Sequence, residues 1–312
     1  MKQVLAQSGL RLTKSLGQNF LHDTNQLRRI VDAAELCRHD KVLEIGPGLG
    51  PLTALLLENA GEVMAIEKDA RLVELLDKTL SSSGDTIPHG LRPPAQGCPV
   101  DRLEQSKSCP EEPTSTPKGL GHRASFMLLH GDALKFLERQ QYDWSKWKMV
   151  SNLPYSVASP ILVELALAGD GPQRMVVTLQ IEVARRLMAV PGDKDYGVLT
   201  LLVQLHYEPK QFFKIPAGCF FPEPDVDSAC VCLQRRPGSV LSAAQQAAYV
   251  KLVKRSFSQR RKMMMKLLRE DWPAEALSSA FDELKIRQES RAESLGREEF
   301  VSLARVLCVE GC

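Results

Sequence analysis

The 312-residue sequence predicts an α/β fold with a mostly parallel sheet, followed by a smaller all-helical unit. Three observations carry this expectation. Short apolar runs alternate with helical patterns over most of the chain. A glycine-rich turn separates the first such run from the first helix. After Arg235-Arg-Pro-Gly238 only helical patterns remain. Alternation of strand and helix specifies a parallel sheet covered on both faces.

The strands read in order as Lys41–Gly46, Val63–Glu67, Phe126–His130, Lys148–Ser151 and Met175–Leu179, each apolar enough to be buried on both faces. Helical stretches run from Pro51 to Asn59 and from Ala70 to Leu80. Two later strands, near Lys210–Ile215 and Ser228–Gln234, are joined by a proline-rich loop without a helix. They predict an antiparallel edge hairpin and bring the sheet to seven strands. Residues 81–124 interrupt the pattern with seven of the chain's 19 prolines and no apolar period, the composition of a disordered insertion. The C-terminal helices are expected over Ser242–Leu268, Pro273–Phe281 and Arg297–Leu307. The domain division is therefore 1–237 and 238–312.

Bulk composition excludes several classes. Hydrophobic content of 44% and charged content of 25% are those of an ordinary globular protein. No apolar run approaches the roughly 20 residues of a membrane span, and the N-terminus lacks a signal-like apolar core. Eight cysteines contain no CxxC pair, so reduced thiols, a cytoplasmic location and no metal are expected. A monomer is expected as well.

The segment Glu44-Ile-Gly46-Pro-Gly48-Leu-Gly50 closes the first strand immediately before a helix. Side chains there would obstruct a ligand's approach to the backbone. A dinucleotide fold would place its third small residue one position later, where Pro51 stands. The spacing suits a Rossmann-like class I methyltransferase, whose loop wraps an amino-acid carboxylate and a ribose. Glu67, ending the second strand, can accept both ribose hydroxyls, and Asp132 can accept from an adenine amino group. Each acid lies at the C-terminal end of a successive strand, where open α/β sheets bind ligands. Gly46, Gly48, Glu67 and Asp132 are thus the expected binding residues for S-adenosyl-L-methionine.

Asn152-Leu-Pro-Tyr155 follows the fourth strand. An exocyclic adenine amino group is a poor nucleophile because its lone pair is delocalised into the ring. The Asn152 oxygen and the Leu153 carbonyl can accept both amino hydrogens and favour the pyramidal form. Pro154 fixes the turn, and Tyr155 offers a ring for stacking. No general base is required before methyl transfer.

With these motifs, and with Leu16-Gly-Gln-Asn19-Phe20-Leu21, Phe220-Phe-Pro-Glu-Pro-Asp-Val-Asp-Ser228 and Ser256-Phe-Ser-Gln-Arg-Arg-Lys262, the chain resembles the KsgA/RsmA/Dim family of small-subunit ribosomal RNA adenine dimethyltransferases. The resemblance implies dimethylation of two adjacent adenines in a terminal hairpin loop during ribosome maturation. It implies that Asn19 and Leu21 close over the cofactor, and that Asn152 lines the same site. Phe220 or Phe221 would stack on the base opposite Tyr155. The partner would be small-subunit rRNA or the immature small subunit. Asp225 departs from the pattern, since the family often carries Lys there.

Lys251–Arg269 holds eight basic residues and no acidic one. Lys254, Arg255, Arg260, Arg261 and Lys262 are the expected phosphate contacts, and Met263–Met265 are expected to pack against the sheet domain. Two alternatives share the fold: a large-subunit adenine methylase of the antibiotic-resistance type, and a non-catalytic nucleic-acid-binding factor. Intact Glu67, Asp132 and Asn152–Tyr155 speak against the second.

Overall fold

A computed structural model describes residues 19–81, 124–139 and 142–309. Most of the 81–124 insertion, and Leu16–Gln18 of the N-terminal motif, lie outside the described residues. The expected sheet is present. Strands β1 (Phe20–Leu21), β2 (Lys41–Ile45), β3 (Glu62–Glu67), β4 (Ser125–His130), β5 (Trp147–Asn152), β6 (Arg174–Gln180), β7 (Tyr207–Ile215), β8 (Phe220–Phe221) and β9 (Ser228–Arg235) follow in chain order. The main sheet runs β4-β3-β2-β5-β6-β9-β7. Its first five strands are parallel, and β9 pairs antiparallel with both β6 and β7.

Helices cover both faces: α1 (Thr24–Ala33), α2 (Pro51–Asn59), α3 (Ala70–Ser81), α4 (Ala133–Arg139), α5 (Ala158–Leu167), α6 (Ile181–Met188) and α7 (Val198–Gln204). Local chemistry sets their ends. The Asp23 carboxylate accepts from the Gln26 amide at 2.9 Å and caps α1. Pro51 opens α2 at the position where its missing N–H is harmless. One core, centred on Leu43, Met64, Met149 and Val177, fills one side of the sheet; a second, around Leu56, Val63, Val150 and Val176, fills the other. Alternate residues of the same strands supply the two faces, so the central strands are apolar throughout.

The sequence did not reveal the second, two-stranded sheet. β1 pairs antiparallel with β8, Phe20 opposite Phe221 and Leu21 opposite Phe220. The connection read as a plain loop between β7 and β9 therefore carries a strand that grips the N-terminal strap.

The C-terminal helices are α8 (Ala243–Ser256), α9 (Met264–Leu268), α10 (Ala274–Glu283) and α11 (Arg297–Val309). Ser242 and Gln245 form a capping box at the start of α8. The single helix expected over Ser242–Leu268 is broken after Ser256. The Ser256 and Ser258 hydroxyls donate to the carbonyls of Leu252 and Arg255, competing with the helical ladder. Phe257 turns aside to pack near Tyr196 and Phe300. Met264 and Met265 are buried in a core that the C-terminal helices share with the sheet domain. That core also takes in Tyr196, Leu201, Leu202 and Leu205. Packing thus crosses the boundary that composition places at 237/238.

Candidate active site

The parallel register brings the ends of β2, β3, β4 and β5 side by side, with Ile45 opposite Ile66 and Glu67 opposite His130. A cavity of about 140 Å³ lies along this edge. Asn19, Gly46, Gly48, Glu67, Asp132, Asn152, Leu153, Pro154 and Tyr155 all line it. The expected residues, scattered over 137 positions from Asn19 to Tyr155, are therefore assembled in one place.

Two of the glycines are required by the backbone. Gly46 and Gly48 have φ of +71° and +61°, a region that disfavours side chains. A Cβ on Gly48 would come within 2.7 Å of the Phe20 ring, and one on Gly46 within 3.1 Å of Pro154. The loop is so tightly held that only main chain fits between the strap and the Asn152–Tyr155 turn.

Glu67 is buried, and its two oxygens accept from the amides of Gly48 (3.2 Å) and Asp69 (2.9 Å). Burial raises its pKa while these amides oppose the rise. A carboxylate already held by main-chain donors retains lone pairs for the paired hydroxyls of a ribose. Asp132 caps α4 through the Leu134 and Lys135 amides and pairs with Lys68 at 2.9 Å. The Lys68 contact is the main reason its pKa is lowered. The donor set therefore fits a nucleoside with an attached amino acid. It offers a buried carboxylate at the end of β3, a partly exposed one after β4, and a side-chain-free loop after β2 on the other side of β3.

Glu44, in the first motif, has a different fate. It is fully buried, and one of its oxygens has no hydrogen-bond partner among the described residues. Burial, reinforced by the Glu67 charge, pushes its pKa up to about 8.

At the end of β5 the Asn152 amide donates to the main-chain carbonyl of Asn19 at 3.0 Å. Its oxygen is buried without a partner among the described residues. The Leu153 amide donates to the Thr178 carbonyl at 3.0 Å, fixing the turn to the neighbouring strand. Tyr155 is held by a 2.5 Å hydrogen bond between its hydroxyl and that of Ser228. Burial raises its pKa, so the phenol stays neutral.

Three expectations need correction. Phe220 is only 2% exposed and packs in the core, whereas Phe221 is partly exposed. Leu21 does not line the main cavity. Its side chain is buried beside a separate cavity of about 20 Å³ beneath the strap. Arg255 is engaged by Asp271 and Glu270. These acids lie just beyond the basic run and fold back on it, and Lys251 pairs with Asp271 too. Arg255 is therefore held in an ion-pair network within the helical unit.

Lys254, Arg260, Arg261 and Lys262 are exposed, with Arg260 pairing with Glu293 at 3.5 Å and donating to the Lys194 carbonyl at 2.9 Å. Arg260 and Lys254 border a cleft of about 740 Å³, together with Arg186 and Lys194, which sequence reasoning missed. Leu134 borders both this cleft and the main cavity. Glu138, Glu164 and Asp195 line the same cleft, so the fold gathers charges of both signs there. Among the described residues no helix is long and apolar enough to cross a membrane, and no group of three or more His, Cys, Asp or Glu is placed to hold a metal ion.

The family model for ribosomal RNA adenine dimethylase matches residues 9–87 and 113–308. The chain belongs to the ribosomal RNA adenine dimethylase family. With that membership come S-adenosylmethionine-dependent methyl transfer and a ribosomal RNA substrate. The stretch left unmatched, 88–112, falls inside the insertion that the sequence marks out. Among curated relatives, "Ribosomal RNA small subunit methyltransferase A" of Geobacillus thermodenitrificans is 34% identical over 98% of this chain and 94% of its own length. The Clostridium perfringens protein of the same name is 33% identical over 97% and 93%. Two solved structures share the fold. A dimethyladenosine transferase from Plasmodium falciparum has a TM-score of 0.69, with 23% identity over 91% of this chain and 95% of that one. The 23S rRNA methyltransferase ErmE has a TM-score of 0.62, with 24% identity over 93% and 99%.

Two predictions concern the buried carboxylates of this adenine dimethylase. Glu67→Ala should weaken S-adenosylmethionine binding by about 1.5–3 kcal/mol, as two charge-assisted hydrogen bonds are lost. Calorimetry giving an unchanged Kd would remove Glu67 from the site. Glu44 should make stability depend on pH. Its carboxyl is neutral in both states below the ordinary value of 4.5, and only the unfolded chain ionises between there and about 8. The wild type therefore loses stability over that window as pH rises, and Glu44→Gln does not. Urea denaturation should show the variant's relative stability growing from about pH 5 to about pH 8; a constant difference would mean Glu44 is ionised in the fold.

Proposed function

We propose that this protein dimethylates the exocyclic amino groups of two adjacent adenines in a terminal hairpin loop of small-subunit rRNA, during maturation of that subunit. The observation that carries the reading is the Asn152–Tyr155 turn. It borders the cavity that Glu67 and Asp132 also line, with a buried amide oxygen that has no partner among the described residues.

Glu67 would hold the ribose of the cofactor, Asp132 its adenine amino group, and the loop at Gly46 and Gly48 its amino-acid portion. Asn19 closes the cavity from the strap side. Bound S-adenosylmethionine supplies an electrophilic methyl group on a sulfonium sulfur. The chain's own residues prepare the nucleophile. The Asn152 oxygen and the Leu153 carbonyl accept the two amino hydrogens and draw the nitrogen towards a pyramidal geometry. Both acceptors are neutral, and they interact most strongly as positive charge grows on the nitrogen. Tyr155, pinned by Ser228, offers one face for the base and Phe221 the other. Proton loss follows methyl transfer, so the neutral Tyr155 phenol and the absence of an adjacent base in this reading are consistent with the chemistry.

A target base must leave its stack to enter such a cavity, and hairpin-loop bases do so at little cost. Lys254, Arg260, Arg261 and Lys262, with Arg186 and Lys194 across the cleft, would take the flanking phosphates. In this reading the protein works as a metal-free monomer in the cytoplasm, with reduced thiols. Labelled methyl groups should enter small-subunit RNA and not large-subunit RNA. Incorporation into the large subunit would overturn the assignment.

Asn152→Ala should raise the barrier to methyl transfer by about 3–4 kcal/mol, roughly a hundredfold or more in rate, with little loss of RNA affinity. Single-turnover methylation at saturating cofactor measures this; a wild-type rate would mean that other residues organise the chemistry. Charge reversal at Arg260, Arg261 and Lys262 should weaken RNA binding and flatten its salt dependence by about one logarithmic unit per lost phosphate contact, sparing the cofactor. An unchanged slope would place these residues off the RNA.

A further inference from the structure

Asn152 has an amide whose two ends are not equivalent in this fold. Its nitrogen donates to the Asn19 carbonyl, and its oxygen is buried without a partner among the described residues. A main-chain carbonyl offers no hydrogen, so it can hold only the nitrogen end of an amide. The oxygen is thereby turned the other way, as an acceptor for substrate. Asn19 stands immediately before β1, and β1 is clamped to β8 by the pairing of Phe20 with Phe221 and by the His22 amide donating to the Cys219 carbonyl at 3.0 Å. The Phe20 ring lies against Gly48 of the cofactor loop, within 2.7 Å of where a Cβ would stand. One short strap thus touches the cofactor loop, the aromatic segment and the amide at the reacting centre.

We infer that the Asn19 main-chain carbonyl is a positioning group for methyl transfer: it sets which end of the Asn152 amide faces the adenine, and the β1·β8 pair ties that setting to the segment carrying Phe221. The inference rests on the proposed role of the Asn152 oxygen as acceptor of an adenine amino hydrogen. It also accounts for an amide rather than a carboxylate at this place. A carboxylate would suit a developing cation better, but two acceptors facing each other across 3.0 Å would repel, and the strap would be released.

Asn152→Asp separates the possibilities. At neutral pH the introduced carboxylate has no hydrogen for the Asn19 carbonyl. Once protonated it can donate one while presenting its other oxygen to substrate. Single-turnover methylation by Asn152→Asp should therefore be slowed about tenfold or more at neutral pH. It should recover on acidification by about tenfold per pH unit until the new carboxyl is protonated. The wild type should show no such limb. In the cofactor-free protein, hydrogen exchange across residues 19–22 should lose protection in Asn152→Asp at neutral pH and regain it on acidification. A variant that is fully active at neutral pH, or whose pH profile and strap protection match the wild type, overturns the inference.

His22→Pro tests the same link from the other side, deleting the donor to Cys219 without altering any side chain of the cavity. It should slow methyl transfer several-fold in the wild type, and add little to the defect of Asn152→Ala, because the strap acts through Asn152. Additive losses in the double variant would mean that the strap acts independently and would overturn the inference. A wild-type rate for Asn152→Ala itself would instead sink the proposed role of the acceptor. If His22→Pro fails to fold, the pH profile of Asn152→Asp still decides.

Discussion

The loop at the end of β2 is gripped from two sides, and much of the site depends on that grip. Phe20 of the strap presses on Gly48, and Pro154 of the turn after β5 presses on Gly46. Both positions use a backbone conformation that favours glycine. Because no side chain intervenes, the Gly48 amide reaches the Glu67 carboxylate on the next strand. Asn152, just before Pro154, meets the Asn19 carbonyl at the same junction. Three segments distant in sequence are therefore fixed by contact with a few atoms of main chain. Close packing of this kind transmits displacement instead of absorbing it.

Much of this was legible in the sequence. The parallel strands announce themselves as short, mainly apolar runs; β2, β3, β5 and β6 are largely buried, while β4, at the sheet edge, is partly exposed. The acids at their ends stand out because each follows such a run, and parallel register then aligns them. The β1·β8 pair could not be read this way. Two residues make no period, and the partners lie 201 positions apart, Phe20 with Phe221. The same pairing decides which of two adjacent phenylalanines is buried. Alternation puts Phe220 in the core and leaves Phe221 partly exposed, but only once the register is known.

Charge was legible as composition and illegible as geometry. The basic run ends just before Glu270 and Asp271, and a short helix with a turn after it brings those acids back onto Arg255 and Lys251. Local sequence counts every cation equally, whereas the fold neutralises some and joins others, such as Arg186 and Lys194, from elsewhere. The exposed remainder, Arg260 to Lys262, sits on the turn created where Ser256 and Ser258 end the long helix. The break that sequence periodicity missed is thus what presents these cations on a turn.

The seam between the sheet and the C-terminal helices has a mechanical consequence. Tyr196 donates to the Leu295 carbonyl, Tyr249 to that of Leu201, and Arg297 to that of Leu205. All three bonds span the composition boundary and surround a common apolar core. A hinge at that boundary would have to break them and wet Leu201, Leu202 and Leu205 together. The cations on the turn and the cavity at the strand ends therefore behave as the two jaws of one solid caliper, whose gap is set when the chain folds.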